Sequence, residues 1–283
     1  MSSATHTPDS AGSTPPADPA SSAERVATLE AQVLALQAEM QSLVATISHD
    51  LRAPLRHITS FSQLVQDEAG PQLNAEMREF LGHISTSAHT LGSMLDGLLA
   101  LSRIGTVALY PEAVDLTALI QALVEERQSA LQSHAKLPGS GPESGSESRS
   151  ASGRLVQWSV DGAALPAVLA DAKLLRLALG HVLDNAVKFT GPQPQAHIRV
   201  SHMVDTETGK LHCTVSDNGV GFTPAQAAQL FKPFARLHPS SQFAGQGMGL
   251  ALVRKSLLRM GGEVSISATV QGGCRVVLLL PLA

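Results

Sequence analysis

Three polar side chains near the middle of the chain have types and spacing that suit a magnesium-bound polyphosphate. His181, Asn185 and Lys188 lie four and three residues apart, so they share one face of the helix predicted over residues 171–189. An amide oxygen can bind Mg²⁺, and a lysine ammonium can pair with a phosphate oxygen. Because such a row is more often only the solvated face of a helix, it indicates a nucleotide site only together with other patterns.

A carboxylate that faces the core ends the strand predicted over residues 211–217. Apolar side chains alternate along one face of this strand, and Asp217 continues the alternation. A buried carboxylate requires a hydrogen-bond donor, which the exocyclic amine of adenine would supply. Gly219 and Gly221 follow directly and would let the backbone approach a ligand closely. The alternative is a simple Asp-Asn-Gly turn without a ligand.

A second glycine pattern, Gly245-x-Gly247-x-Gly249, leads into the helix predicted over residues 248–260. A glycine loop that opens a helix can bind an anion through its backbone amides and the helix dipole. The spacing differs from the dinucleotide-binding fingerprint, and the Gly-Lys-Ser/Thr sequence of a P-loop is missing. Alone, this pattern is a weak indication of a phosphate site.

His49 combines a nucleophilic ring with a neighbouring acid, Asp50. The neutral histidine that dominates at pH 7 can attack a phosphoryl group, and the acid can accept the ring proton or fix the tautomer. The apolar stripe of the surrounding helix predicts that His49 lies on the opposite, solvent-facing side. His57, His83 and His89 are weaker candidates because no acid adjoins them in the sequence.

The helix that carries His49 must pack against other helices. Apolar residues repeat at heptad spacing from Val26 to Ile47, and this seam predicts either a coiled coil or one helix of a larger bundle. The stripe then continues with an extra step of four residues, a stutter that locally unwinds a supercoil. Pro54 lies inside this stretch and cannot donate a backbone hydrogen bond, so we expect a kink there.

A second amphipathic helix follows after a short turn. Gly70-Pro71 should end the first helix, and a second apolar stripe spans residues 77–98 and stops before Gly105. The apolar faces of these two helices exceed what two helices can cover. We therefore expect two chains to form a four-helix bundle.

From about residue 110 the pattern changes to mixed strands and helices. We expect a helix over residues 116–132, in addition to the two helices named above. The predicted strands cover residues 155–160, 196–204, 211–217, 263–270 and 275–280. Together these elements predict a two-layer α/β sandwich, so the fold class of the whole chain is α+β.

Composition and charge exclude several classes of protein. The chain has 20 Lys and Arg residues against 24 Asp and Glu residues, so no basic excess exists to bind nucleic acid. Cys213 and Cys274 are too few for a disulfide framework or a four-cysteine zinc site. No apolar run is long enough for a membrane span and no signal-peptide pattern begins the chain, so we expect a cytoplasmic protein.

In their order along the chain, these nucleotide-site patterns resemble the boxes of the Bergerat-type ATP-binding fold. Asn185 matches the N box, Asp217 to Gly221 the G1 box, Phe231 with Phe234 the F box, and Gly245 to Gly249 the G2 box. That superfamily contains sensor histidine kinases, type II topoisomerases, heat-shock-90 chaperones and mismatch-repair ATPases. The segment between the F and G2 boxes looks like the mobile ATP lid of the superfamily.

The sequence around His49 indicates which of these families the chain resembles most. Ser48-His49-Asp50-Leu51-Arg52-Ala53-Pro54-Leu55 resembles the phosphoacceptor H-box of histidine kinases, especially of the phytochrome-like branch. The combined resemblance covers residues ~45–283 and implies a sensor histidine kinase core that is a homodimer. It also implies transfer of the γ-phosphoryl group from ATP·Mg²⁺ to His49, and onward to an aspartate of a response regulator receiver domain.

The resemblance assigns roles to the other candidate residues. Asn185 should bind Mg²⁺, Asp217 should bind adenine, and Lys188 with the glycine loop should bind phosphates. Asp50 should assist His49, and Arg52 and His181 are further possible site residues. The full set of expected ATP-binding residues is Asn185, Lys188, Asp217, Gly219, Gly221, Phe231, Phe234, Gly245, Gly247 and Gly249.

Two positions depart from the pattern of the relatives. His181 stands where topoisomerases and chaperones have a catalytic glutamate, which argues against direct ATP hydrolysis by an activated water. Ala53 stands four residues after His49, where many kinases have a threonine or asparagine thought to orient a water that dephosphorylates the regulator. The alternatives to a kinase are a Bergerat-fold ATPase acting as a conformational switch, and a degenerate kinase acting as an interaction module.

These patterns divide the chain into four predicted segments. Residues 1–22 should be a disordered tail, 23–46 a coiled-coil signalling helix, and 47–105 the dimerisation and phosphoacceptor domain. Residues 106–283 should form the catalytic ATP-binding domain, interrupted by a Gly/Ser/Pro-rich flexible insertion at 136–153.

Overall fold

The computed structural model describes residues 19–135, 156–161, 165–239 and 241–283. The predicted insertion at 136–153 and residues 1–18 of the predicted tail lie outside the described residues. The first helix begins at Pro19, so the last four residues of the segment predicted to be disordered are helical instead. Helix formation spreads into them because they continue the following helix without a glycine or an internal proline.

Two long antiparallel helices form the N-terminal hairpin. Helix α1 spans Pro19–Ala69 and helix α2 spans Ala75–Thr106. Their turn is closed by the amides of Gln72 and Leu73, which both donate to the carbonyl of Ala69. The side chain of Asn74 caps α2 by accepting from the amide of Met77 at 2.8 Å. The predicted break at Gly70 is therefore confirmed.

Both hairpin helices extend through residues that often interrupt helices. Helix α1 continues through Pro54, and the kink expected there stays a prediction. Helix α2 continues through Gly105 to Thr106, so the predicted stop before Gly105 was wrong. A glycine costs a helix only about 1 kcal/mol, and here the missing side chain makes room for Lys255, whose Nζ would lie 2.8 Å from a Cβ.

The C-terminal part of the chain is a five-stranded sheet covered by helices. The sheet strands are β2 (Val156–Val160), β4 (Ala196–Asp205), β5 (Lys210–Asp217), β6 (Glu263–Ala268) and β7 (Cys274–Pro281). Their order is β2-β4-β5-β7-β6, and only the β2–β4 pair is parallel. The helices are α3 (Leu116–Ala135), α4 (Ala172–Phe189) and α5 (Gly249–Arg259), with a short 3₁₀ helix at Pro224–Gln229.

The predicted two-layer α/β architecture is confirmed. The buried core joins apolar side chains of α3, α4 and α5 to the inward faces of β4, β5 and β7. A separate antiparallel pair, β1 (Glu112–Val114) with β3 (Val168–Ala170), was not predicted, because each strand has only three residues. None of the helices within the described ranges is long and apolar enough to cross a membrane.

Helix α5 attaches this domain to the hairpin. The side chain of Met248, just before α5, packs against Gly97 of α2, where an added Cβ would lie 2.8 Å from its Cγ. At the other end of α5, Arg259 donates to the carbonyl oxygens of Gly105 and Val107. The α5 helix thus lies alongside the last turns of α2.

Candidate active site

The start of helix α4 is fixed by an N-terminal cap, and this sets which of its side chains face the cavity. The carboxylate of Asp171 accepts from the amides of Lys173 and Leu174, each at 3.1 Å, and so caps the helix. The apolar face of α4 is buried in the core, so Asn185 and Lys188 face a cavity beside the sheet. Two members of the predicted polar row therefore share one site.

That cavity collects most of the predicted nucleotide residues. It lies between α4, the ends of β5 and β7, and the segment that joins β5 to α5. The predicted residues that line it are Asn185, Lys188, Asp217, Gly221, Gly245, Gly247 and Gly249. Residues far apart in the sequence are brought together because α4 packs against both α5 and β5.

Asp217 presents a carboxylate to the cavity from the end of β5. Its Oδ1 accepts from the amide of Gly219 at 2.8 Å and from the amide of Cys274 at 3.3 Å, which leaves Oδ2 to accept from a ligand. Burial raises the pKa of Asp217 to about 6, although both backbone hydrogen bonds act to lower it. The predicted inward orientation of this acid is observed.

The two glycines after Asp217 are required by close packing of the backbone. An added Cβ on Gly219 would lie 2.6 Å from the carbonyl oxygen of Phe189, and one on Gly221 would lie 2.0 Å from that of Thr269. Gly221 also has a positive φ of 61°. Gly221 lines the cavity, whereas Gly219 contributes through its hydrogen bond to Asp217.

The glycine loop before α5 is held by a cation that was not predicted. Arg236 donates to the carbonyl oxygens of Phe243 and Gly245 at 2.8 and 2.5 Å. Burial, followed by the charge of Arg236, lowers the pKa of Lys188, while Asp184 acts in the opposite direction. Two cations therefore meet beside the loop, where they create a positive field suited to phosphate groups.

The third member of the polar row, His181, lies at the edge of this site. It does not line the cavity, but its Nδ1 would be 3.5 Å from a Cβ added to Gly249. Burial is the largest cause that lowers the pKa of His181, and the charge of Arg127 acts the same way, against Asp184. The His181 ring, whose neutral form burial favours, therefore lies next to Gly249 at the N-terminus of α5.

Three aromatic rings close one side of the cavity. The rings of Phe189, His238 and Phe243 contact one another with centroid distances of 5.0 to 5.7 Å. The ammonium of Lys188 lies 4.2 Å above the centre of the Phe189 ring. The sequence analysis did not predict these rings as part of the site. Only Phe189 carried a signal, because it directly follows Lys188.

The two predicted phenylalanines do not line the cavity. Phe231 lies near Arg254, whose guanidinium carbon is 5.8 Å from the ring centre. Phe234 is exposed and has a positive φ of 63°, so its side chain points away while its backbone packs against Gly247. Their expected contact with a nucleotide therefore stays a prediction.

His49 lies on the solvent-facing side of α1, as predicted. Its side chain is 85% exposed, and its Nδ1 is 3.2 Å from Oδ1 of Asp50. The preceding Ser48 is fully buried against the hairpin, which fixes the direction in which His49 points. Arg52, one turn further along, pairs with Asp96 of α2 at 2.6 Å and so braces the hairpin beside the histidine.

Comparison with protein families identifies both regions. Residues 39–107 match the His Kinase A (phospho-acceptor) domain, and residues 170–283 match the histidine kinase-, DNA gyrase B- and HSP90-like ATPase domain. The chain belongs to the sensor histidine kinases. The kinase thus carries an ATP-binding domain of the expected type beside a phosphoacceptor domain, and the resemblance noted in the sequence is confirmed.

Its relatives include kinases from distant organisms. The kinase is 29% identical to the methanogenesis regulatory histidine kinase FilI of Methanothrix harundinacea, over 91% of this chain and 26% of FilI. It is 31% identical to the circadian input-output histidine kinase CikA of Synechococcus elongatus, over 87% of this chain and 30% of CikA. The chain therefore spans less than a third of the length of these relatives.

One solved structure is similar to this chain over most of its length. The crystal structure of full-length ShkA in complex with AMPPNP superimposes with a TM-score of 0.57 at 26% identity. The match covers 86% of this chain and 46% of the ShkA chain.

Proposed function

We propose that the kinase transfers the γ-phosphoryl group of ATP to His49 and that a response regulator receiver domain then accepts it on an aspartate. The observation that carries this proposal is the exposed His49–Asp50 pair on a domain of its own, beside a domain whose cavity is lined by Asn185, Lys188 and Asp217. A histidine held in solvent can be reached both by a nucleotide on the catalytic domain and by a partner protein.

The cavity has separate regions for the base and the phosphates of ATP. Apolar side chains of Val215, Ile266 and Val276 would enclose adenine, while Oδ2 of Asp217 accepts from its exocyclic amine. Lys188, Arg236 and the glycine loop at the N-terminus of α5 would bind the phosphates.

The residues present also fit a Mg²⁺ ion bound with the nucleotide. Asn185 lines the cavity with an amide oxygen available as a ligand, one turn before Lys188. The described residues contain no cluster of three or more His, Cys, Asp or Glu side chains that could hold a metal alone. Asn185 and phosphate oxygens would therefore hold the ion, which when bound neutralises phosphate charge.

The geometry at His49 favours attack by the Nε2 nitrogen. When Nδ1–H donates to Asp50, the lone pair remains on Nε2, and among the described residues Nε2 has no protein partner. Nε2 would then form the N–P bond while the bond from phosphorus to the ADP oxygen breaks. Positioning and charge neutralisation supply most of the catalysis in such transfers.

The exposed surfaces of the kinase support two proposed partners, a second copy of the chain and a receiver domain. Seven seam residues of α1, from Val26 to Ile47, are 51 to 65% exposed within one chain. A seam of this kind is covered by a second copy, which gives a homodimer with a four-helix bundle. The receiver domain would dock near His49, the residue that it must reach.

One labelling experiment tests the proposed function against its two alternatives. The kinase is incubated with γ-labelled ATP and Mg²⁺, and the protein is then treated with acid or base. Label that is lost in acid and kept in base identifies phosphohistidine and supports the proposal. Release of free phosphate without labelled protein would favour the ATPase switch, and neither product would favour the interaction module.

A further inference from the structure

Helix α5 carries an exposed apolar side chain on the edge that faces the hairpin. The other apolar residues of α5 are buried or half-buried, but Leu258 is 58% exposed. Lys255 and Arg259, its neighbours on that edge, lie against the end of α2 near Gly105. A single exposed leucine is ordinary on a protein surface, so its surroundings decide its meaning.

Leu258 lines an open groove of about 600 Å³ between the hairpin and the catalytic domain. Helix α2 contributes Leu98 and Leu101 to this groove, and α5 contributes Lys255, Leu258 and Arg259. The wall formed by α1 includes Val33, Leu36, Met40 and Val44. The first three of these α1 residues belong to the heptad seam, so the groove is continuous with the surface expected to bind a second copy.

The charges around the groove complement the same helix. Residues 33–44 of α1, the stretch that contains the α1 residues of the groove, have one acid, Glu39, and no base, which gives a net charge of −1. Lys255 and Arg259 place two positive charges at the α5 side of the groove. A helix with the sequence of α1 thus matches the groove in both its apolar stripe and its charge.

We propose that this groove receives residues 33–44 of α1 from a second copy of the chain. In a parallel pair of seams, equivalent residues lie at the same height, so the second copy's helix passes the groove where Leu258 is exposed. The catalytic domain of one subunit would then contact the signalling helix of the other. The inference rests on the proposed homodimer.

This contact would connect the seam to the nucleotide site. Helix α5 begins at Gly249 of the glycine loop and ends at Arg259, beside the groove. A helix of 11 residues moves as a rigid element, so a displacement of the second copy's seam would reach the glycine loop directly.

Disulfide trapping tests the position of the second copy. Subunits with Leu258→Cys and a large tag are mixed with untagged subunits carrying Met40→Cys, exchanged, and oxidised. We expect a linked product with the summed mass of both subunits. The matched control, Arg254→Cys, lies one turn earlier on α5 and does not line the groove, so it should give no link. Each variant alone controls for Cys213 and Cys274.

Other outcomes of the trapping experiment overturn the inference. A link that forms only when both cysteines are in one chain means that the chain's own α1 closes the groove. No link in either arrangement, from subunits that sediment as dimers, means that the second copy lies elsewhere. In both cases autophosphorylation at His49 and the homodimer would still stand.

Dimer affinity provides a second measurement. Because Leu258 is exposed within one subunit, Leu258→Ser should leave the subunit folded and weaken dimerisation about tenfold or more, as expected for an apolar side chain buried by the partner. Arg254→Ser should leave the affinity unchanged. Equal dimer dissociation constants for Leu258→Ser and wild type in analytical ultracentrifugation would contradict the proposed contact.

Discussion

The helical hairpin leaves many of its apolar side chains in solvent, whereas the α/β domain encloses most of its own. Seam residues such as Leu36 and Met40 are more than 60% exposed, while Leu175, Leu179 and Leu278 are fully buried. The reactive groups of the two regions also differ in exposure. The His49 side chain lies in solvent, whereas Asp217 and Lys188 are buried enough for their pKa values to be shifted. The α/β domain can therefore fold around its site, and the hairpin needs a second chain to complete its core.

This contrast predicts that changes at the hairpin site affect chemistry alone. His49→Gln should abolish autophosphorylation while ATP affinity and the free energy of unfolding stay unchanged, because the side chain is 85% exposed. Labelling with γ-labelled ATP and nucleotide titration measure the two effects. His83→Gln is the matched control, since His83 is also exposed on the hairpin and should keep full labelling. Acid-labile label on the His49 variant would mean that another histidine is the acceptor.

The hairpin's incomplete core makes its assembly sensitive to the seam. Deletion of residues 1–44 removes six of the seven exposed seam residues, and dimerisation should weaken at least about a hundredfold. Nucleotide binding by the α/β domain should persist, because its core contains no residue of the deleted segment. Sedimentation at several concentrations and nucleotide titration test both statements. A truncated chain with the wild-type dimer affinity would show that the seam is not the interface.

Ala53 lies one turn after His49 and has no polar atom on its side chain. Since an orienting contact in an attack geometry can be worth about a hundredfold in rate, the wild type should dephosphorylate a phosphorylated receiver domain slowly. Ala53→Thr should accelerate this reaction by about the same factor. Loss of phosphate from a phosphorylated receiver is followed with ADP-loaded kinase. Rapid dephosphorylation by the wild type, with no gain from threonine, would refute the prediction.

A change at the buried site should affect function and stability in opposite directions. Asp217→Asn should weaken ATP binding about 10- to 100-fold, because the charged hydrogen bond to the adenine amine is lost. The same change should raise the free energy of unfolding at pH 7 by about 1–2 kcal/mol, because it removes a carboxylate that burial disfavours in its charged form. Nucleotide titration and denaturant unfolding measure the two effects. Unchanged ATP affinity would identify Asp217 as a turn residue.

The pH dependence of the wild type checks the same group. Between its ordinary value of 3.8 and the folded pKa of about 6, Asp217 binds more protons in the folded than in the unfolded state. Its contribution therefore makes the free energy of unfolding fall as pH rises through this window. ATP affinity should decrease as pH falls below about 6, where the carboxylate becomes protonated. The Asp217→Asn variant should lack both of these pH dependences.

The aromatic cluster should give the smallest effect. Phe243→Ala removes one ring from the contact with Phe189 and His238, and an aromatic pair contributes about 0.5–1.5 kcal/mol. ATP affinity should therefore fall about two- to tenfold, and proteolysis of the segment before the glycine loop should become faster. Phe234→Ala is the control, because the exposed ring of Phe234 does not line the cavity. Equal effects of the two changes would mean that the cluster has no special role.

Local patterns predicted the main elements and several site residues. The spacing of Asn185 and Lys188 on one helix, and the alternation that ends at Asp217, depend only on neighbouring residues, and both are observed. The two short strands β1 and β3 could not be predicted, because three residues give no measurable alternation. Their pairing depends instead on contacts between segments distant in sequence.

The residues of the lid show where sequence reasoning ends. Phe231 and Phe234 were predicted from a resemblance, and their contact with a nucleotide stays a prediction. Arg236 and His238 line the cavity but were not predicted. Arg236 donates hydrogen bonds to the carbonyl oxygens of Phe243 and Gly245, which follow a polar stretch without periodicity. No rule that uses neighbouring residues contains this information.

The sequence by itself determined the helical hairpin, the sheet with its covering helices, the solvent-facing His49 and the inward-facing Asp217. These follow from periodicity, and periodicity reflects forces between residues a few positions apart. Only the tertiary structure decided which rings and cations meet at the glycine loop, and that α5 lies along α2 with Leu258 at an open groove. Such contacts arise when whole elements pack together, so their partners are set by shape and burial rather than by spacing along the chain.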